Sequence, residues 1–480
     1  LPPTIAAKVP NTITAPPADD PPRRKRVLLL THRFPYPPNR GDRIRSYNLM
    51  RVLAEHFDVT LACPHDEPIT DEHFRHVDQI CRQTITAPTG NERWLRAGGS
   101  VLRGRSLTEG LFHHAKISSE IRKLQRSRPF DAVLVFCSGM FRYIDGNDFT
   151  GTPIVVDLVD VDSMKWEQLA RESRLLKRPI YAWEANRVKR LEQRIARRAD
   201  AITLVSDDEA NAFRGRVTTK SPIIGVSNGV DTDYFRPRPA TSPGEDGSRD
   251  ASGEQRDARN AVEPSDVNRE RTDNEPSDPN SRLSPLETRN SASHSPLVAP
   301  RSRLIFTGVL DYPPNVEGMR WFCNDILPGL RERLDVELQI VGRRPNQVVR
   351  RLGELEGVTL IGEVPDVRPY LLGADIAVSP LKLARGIQNK VLEAMASGLP
   401  VITTSQSAEG IDAESGEQFI IADSVGEWQD SIHDLFSDAG KREGLGRQAR
   451  QLVVDQYSWS ARLDRIIQLL RHSSSARASR

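Results

Sequence analysis

The chain has 480 residues, with 67 Lys and Arg against 65 Asp and Glu, for a formal net charge of +2. That length exceeds one ordinary core and suits two domains, while a sum so near zero excludes a strongly basic nucleic-acid binder. Four cysteines (Cys63, Cys81, Cys137, Cys323), none in a CxxC pair, exclude a disulfide framework or zinc ribbon and point to a reduced, cytoplasmic setting.

Residues 1–26 are Pro-rich and close on the basic run Arg23-Arg24-Lys25-Arg26. The stretch lacks the apolar core of a secretory signal, and it opens on Leu1 rather than Met, as a chain with a segment upstream would. A first domain is predicted over 27–238. Its strands are the short apolar runs 27–32, 59–63, 132–137, 153–160 and 201–206, and helical spacing over 43–56 puts Ile44, Leu49, Val52 and Leu53 on one face. Residues 239–300 contain no Phe, Trp or Tyr beyond position 240 and are rich in Ser, Asp, Glu, Arg, Asn and Pro. Such a segment buries too little apolar area to offset its ordering entropy, so a disordered interdomain insertion is predicted there. The alternation resumes over 301–456, with strands at 303–308, 336–342, 358–362, 375–380 and 400–404 and helices near 315–333, 346–355 and 388–397. A closing helix over 457–471 and a polar tail over 472–480 complete the chain, and no apolar run approaches the ~18 residues that span a bilayer. The fold class is therefore α/β, with two Rossmann-like, doubly wound parallel-sheet domains facing across a cleft. Ligands of such sheets bind beyond the carboxyl ends of the strands, which directs attention to the strand-to-helix turns.

Two turns stand out. The first, His32 to Arg43, places Gly41 at the start of a helix, where free backbone N–H groups receive a phosphate and Arg40, Arg43 and Arg45 add charge. It is not GxGxxG, and a Pro-stiffened loop is the plainer alternative. The second, 386–403, opens a helix on which Lys390 and Glu393 share a face near the N-terminus. Such a carboxylate suits ribose hydroxyls and such an amine a diphosphate; alternatively the two pair in solvent beside the helix dipole. Asp157, Asp160 and Asp162 follow a predicted strand, and Asp160-Val161-Asp162 reads as DxD, a spacing that can hold Mn²⁺ or Mg²⁺. An active-site role without metal, such as orienting an acceptor hydroxyl, and simple loop capping are the other readings.

The string from Gly362 through Thr404, with SNGVDTDYFRP (227–237), FTGVLDYPPNVEGMRWF (306–322) and YSWSARLDRIIQLL (457–470), resembles glycosyltransferase family 4, retaining enzymes of the GT-B fold. THRFPYPPNRGDRIRSYNLMRVLA (31–54) is similar to the sugar transferases associated with PEP-CTERM/exosortase exopolysaccharide systems. The resemblance implies that Glu393, the second Glu of an E-x7-E motif, holds the donor ribose. Gly41 would approach the donor diphosphate or acceptor, and Ile361 and Gly362 would pack the base. Gly308, Arg343 and Lys390 join the implied donor site, with Arg43 on the N-terminal side, and Asp157, Asp160 and Arg385 are the catalytic candidates. Arg385 stands where the family has its first Glu, and Val309-Leu310 replace cations usual after the first C-terminal strand.

The implied activity is transfer of a sugar from a nucleotide-diphosphate donor to a hydroxyl of a lipid-linked polysaccharide precursor, with no metal or other cofactor. Two alternatives are a weakly active relative serving as a partner subunit, and a metal-dependent GT-A transferase using Asp160 and Asp162. The charge is also uneven. Residues 21–238 carry 37 basic and 27 acidic side chains, and 239–300 carry 7 and 12. Stretches 93–128 and 171–198 mix Arg and Lys with apolar residues, as a face resting on anionic lipid would, which places the protein peripherally on the inner side of the membrane; solvated helix faces are the plainer alternative. No nucleic-acid module accompanies the charge.

Overall fold

A computed structural model describes residues 24–90, 92–173, 177–237, 302–384 and 387–478, with side chains to 472. The readings made for 1–23, for the insertion 239–300 and for Arg385 lie outside the described residues. Thirteen strands form two parallel sheets among them. The first contains β1 (Arg26–Thr31), β2 (Asp58–His65), β3 (Gln83–Pro88), β4 (Ala132–Phe136), β5 (Ile154–Val159), β6 (Ala201–Leu204) and β7 (Ile223–Gly225), in the order β3-β2-β1-β4-β5-β6-β7. The second contains β8 (Ser302–Thr307), β9 (Val336–Val341), β10 (Val358–Gly362), β11 (Ile376–Ser379), β12 (Val401–Thr403) and β13 (Ile420–Ile421), in the order β10-β9-β8-β11-β12-β13. Both are doubly wound, and the order reverses between β1 and β4 and again between β8 and β11. Crevices at such switch points are where ligands sit.

The central strands are apolar throughout because helices cover both faces; every residue of β1 and β4 is buried. The helices that matter here are α1 (Gly41–His56), α2 (Arg93–Leu102), α3 (Asp162–Glu172), α4 (Arg178–Arg198), α5 (Pro313–Trp321), α6 (Asn389–Ala396) and α7 (Trp459–Ala478). The helix expected near 315–333 is interrupted. After α5 a π turn spans Phe322–Ile326 before Leu327–Arg331, ahead of Pro328, which has no N–H for a regular turn. The closing helix also runs past 471, to Ala478, where a tail was expected.

The chain finishes on the sheet it began with. Trp459, Leu463, Ile466, Ile467 and Leu470 of α7 belong to the same core as Val27, Leu29, Leu53 and Leu134. The crossing back is fastened by the Val230 N–H donating to Tyr457 O at 2.8 Å. Arg450 adds to it by donating to the carbonyls of Phe235 (2.6 Å), Thr232 (3.0 Å) and Ala396 (2.5 Å). Among the described residues no helix is long and apolar enough to cross a membrane.

Candidate active site

The carboxyl ends of β8 and β9 and the start of α6 enclose a cavity of about 860 Å³, and Gly308, Arg343, Lys390 and Glu393 all line it. Four of the expected donor residues, spread over 86 positions of sequence, thus converge. Backbone packing is tight at its floor. A Cβ on Gly342 would lie 1.7 Å from the Gly308 carbonyl oxygen, and one on Gly308 would lie 2.9 Å from the Asn315 side-chain nitrogen. The β9 turn can close on the end of β8 only because residue 342 is glycine. Gly362 ends β10 with φ +81, its carbonyl accepting the Gly342 N–H at 2.7 Å, so it shapes the wall on which Glu363 and Val364 follow.

Lys390 and Glu393 lie one turn apart on α6, both half-buried. Burial pushes Glu393 up to about 7, with Lys390 opposing it, and burial pulls Lys390 down to about 8, with Glu393 opposing. The Lys390 ammonium donates to the Asn315 side-chain oxygen at 2.5 Å and stands 4.7 Å above the Phe306 ring. No hydrogen bond to the Glu393 carboxylate occurs among the described residues, leaving an acceptor-only group turned toward a polar cleft. Arg343 is exposed at the rim without an ion-pair partner among the described residues, while Arg344 pairs with Asp311 at 3.5 Å. A half-buried carboxylate with no hydrogen-bond donor of its own thus shares the cavity with two basic side chains, Lys390 and Arg343.

Sequence reasoning missed Asn315. It is buried in the first turn of α5, donates to Val309 O at 2.8 Å and accepts from Lys390, tying the β8–α5 turn to α6. A Pro-Pro-Asn start to a helix directly after a strand was the available signal.

The N-terminal residues are arranged differently from the expectation. Gly41 is the first residue of α1, and a Cβ there would meet nothing within 4 Å, so its amide end opens outward with no steric demand for glycine. Arg43 is buried and turned away, its guanidinium donating to Glu67 at 2.8 Å and to Asn39 at 3.4 Å. It is engaged by the protein rather than offered to a phosphate. Asp157 is likewise closed to any acceptor. It is fully buried at the end of β5, where Arg45 holds both its oxygens (2.8 and 3.1 Å) and Thr203 donates at 3.0 Å. Isolated carboxylates do not survive burial, and this one is matched group for group.

Asp160 pairs with Lys165, whereas Asp162 opens α3 and accepts from Ser138 at 2.5 Å. Lys165 also stands 3.9 Å from Asp162, so one ammonium lies against both carboxylates of the DxD pair, and no cluster of three or more His, Cys, Asp or Glu suited to a metal occurs among the described residues. A second network surrounds His32, the residue after β1. Its Nε2 lies 3.2 Å from Asp42, which also accepts from Arg33 at 2.5 Å. Burial works to discharge the imidazole, but Cys137 and Asp42 outweigh it and push His32 up to about 9.

The glycosyl transferase 4-like domain family matches residues 40–229, and the family described as glycosyl transferases group 1 matches residues 301–438. Over 408 residues, 83% of this chain and 87% of the relative, the sequence is 28% identical to an uncharacterised 44.6 kDa protein in the cps region of Klebsiella pneumoniae. Over 301 residues, 59% of this chain and 65% of the relative, it is 23% identical to a GDP-mannose-dependent alpha-(1-6)-phosphatidylinositol monomannoside mannosyltransferase of Mycobacterium tuberculosis. The fold is similar to that of Anabaena HepE in complex with UDP, with a TM-score of 0.51 at 13% identity, covering 93% of this chain and 100% of that one.

Proposed function

From a chain that is a glycosyltransferase of the GT-B fold, joining a glycosyl transferase 4-like domain to a group 1 glycosyl transferase domain, we infer transfer of a sugar from a nucleotide-diphosphate donor to a hydroxyl group. The observation that carries the donor assignment is the pairing of Glu393 with Lys390 in the cleft at the β8/β11 switch point. Glu393 accepts from the ribose hydroxyls. Lys390, held by Asn315, and Arg343 at the rim face the diphosphate, whose leaving charge they stabilise in a site where little reorganisation is needed. The anomeric C–O bond to the diphosphate breaks as the bond to the acceptor oxygen forms, and the acceptor proton leaves with the released nucleoside diphosphate. Configuration is retained, and catalysis is positional and electrostatic, with the two sheets closing on the donor. No nucleophile is assigned.

The acceptor is a lipid-linked polysaccharide precursor. Support comes from the relative in a cps region, from the mannosyltransferase relative whose acceptor is a phosphatidylinositol glycoside, and from the likeness of 31–54 to exopolysaccharide sugar transferases. On α2, Leu95 and Leu102 are 78% and 90% exposed beside the exposed Arg103, a face suited to anionic lipid on the inner side of the membrane. Vesicle flotation indifferent to anionic lipid would remove that part of the proposal. The transfer itself is tested by incubating the protein with labelled UDP-, GDP- or dTDP-sugars and bacterial lipid extract. Label is expected in the lipid fraction, falling about 100-fold or more in Glu393→Ala, as for loss of a donor-positioning group. Equal labelling by the variant would overturn the site.

A further inference from the structure

The carboxyl ends of β1 to β3 hold a second hollow, of about 240 Å³, away from the donor cleft. We propose that this hollow is a carbohydrate subsite that takes an acidic sugar residue, its ring on Trp94 and its acid at Arg93. Naming that sugar as part of the acceptor rests on the transfer reading above; the binding chemistry does not.

The argument is from the walls. Trp94 and Phe112 present aromatic surface to the hollow, and Trp94 is 62% exposed although it stands on the first turn of α2, where a polar residue would cost nothing. An aromatic face left uncovered beside polar groups is the surface on which the C–H face of a pyranose packs. Arg33 and Asp66 also line the hollow and are fixed to one another at 3.1 Å, with Arg33 anchored again on Asp42 at 2.5 Å. A guanidinium and a carboxylate held in one orientation present paired donors and acceptors at the spacing of neighbouring ring hydroxyls. Their rigidity is already provided by the fold, so little ordering cost falls on binding.

The charge selects the sugar. Three basic groups, His32, Arg33 and Arg93, face two carboxylates, Asp42 and Asp66. Arg93 is the unpaired one: it leans on the Trp94 ring at 5.7 Å and has no carboxylate partner among the described residues. A ring stacked on Trp94 therefore brings its substituent against an uncompensated guanidinium, which favours a carboxylate over a hydroxymethyl group.

The test uses methyl β-glucuronide and methyl β-glucoside as probes, titrated by saturation-transfer NMR into the full chain, Trp94→Ala and Arg93→Gln. Both side chains are partly or largely exposed, and unchanged melting temperatures confirm that the variants fold. The wild type is expected to bind the glucuronide about fivefold more tightly than the glucoside, Arg93→Gln to lose that preference, and Trp94→Ala to weaken both by about tenfold. Absence of binding by either glycoside at about 50 mM, well above the millimolar range of weak ligands, would overturn the proposal. So would variants that bind as the wild type does. Inorganic phosphate binding lost in Arg93→Gln, without glycoside binding, would make the hollow an anion site only. Vesicle binding lost in Trp94→Ala, with glycoside binding intact, would give α2 to lipid and equally overturn it. Binding of UDP-, GDP- and dTDP-sugars is measured alongside: if all three fail to bind while the glucuronide binds, the transfer reading fails and the subsite stands.

Discussion

A lysine in water titrates more than five units above a glutamate, yet in the donor cleft burial brings Lys390 down to about 8 and Glu393 up to about 7. Only between those values is the carboxylate ionised for hydroxyl donors while the amine is charged for a diphosphate. Donor affinity should therefore peak near pH 7.5 and fall on both sides, as Glu393 gains its proton below about 7 and Lys390 loses its own above about 8. Glu393→Gln should erase the acidic limb, and the bound diphosphate should carry the alkaline limb of kcat above that of kcat/KM. Nucleotide-sugar titrations from pH 6 to 9 read this directly, and a flat wild-type profile would contradict it. A second prediction concerns Asp157. Its loss in Asp157→Ala leaves Arg45 buried and unpaired, which costs about 3–5 kcal/mol in urea denaturation. Wild-type stability with abolished transfer would return Asp157 to catalysis. Lys390 and Glu393 were legible in the sequence because one turn of helix brings them together. Arg43 and Asp157 were not, because their partners are set by tertiary folding: Asp157 meets Arg45 across 112 positions.

The elements read most reliably were those buried on both faces, such as β1, β4 and β11, because continuous apolar runs leave no other placement. β3 went unread since it lies at a sheet edge and alternates exposed with buried residues, and β7 and β13 are too short to carry a pattern. The last helix was legible as a helix, but its destination was not. Nothing in YSWSARLDRIIQLL says which sheet it covers, and it returns to the first. Its apolar side therefore joins the stability of the two halves: Ile467→Ala, fully buried against β1 and α1 residues, should cost about 2–5 kcal/mol. Denaturant titration followed by tryptophan fluorescence measures it, and a change below about 0.5 kcal/mol, the range of a surface site, would mean that the helix is only loosely docked.

At the scale of the molecule, the nearly neutral total conceals a basic first half. Much of that charge is spent inside the protein: Arg33, Arg43, Arg45, Arg105 and Arg194 all bind carboxylates of the same half. Exposed basic side chains such as Arg103, Arg122, Lys123, Lys189 and Arg190 are spread over several helix faces of this half. The two-sheet architecture was legible because each half repeats the same alternation, and the place of the β8/β11 cleft was legible because doubly wound sheets open crevices at their switch points. The hollow at the ends of β1 to β3 was not, since its aromatic and charged walls come from segments that follow three different strands. The central claim is that the β8/β11 cleft binds a nucleotide-diphosphate sugar through Glu393. Calorimetric titration of UDP-, GDP- and dTDP-sugars into the wild type and Glu393→Ala tests it most directly. Saturable binding of at least one donor, weakened about tenfold or more by the substitution, is the predicted result. Wild-type protein that binds none of the three, or a variant that binds as tightly as the wild type, would contradict it.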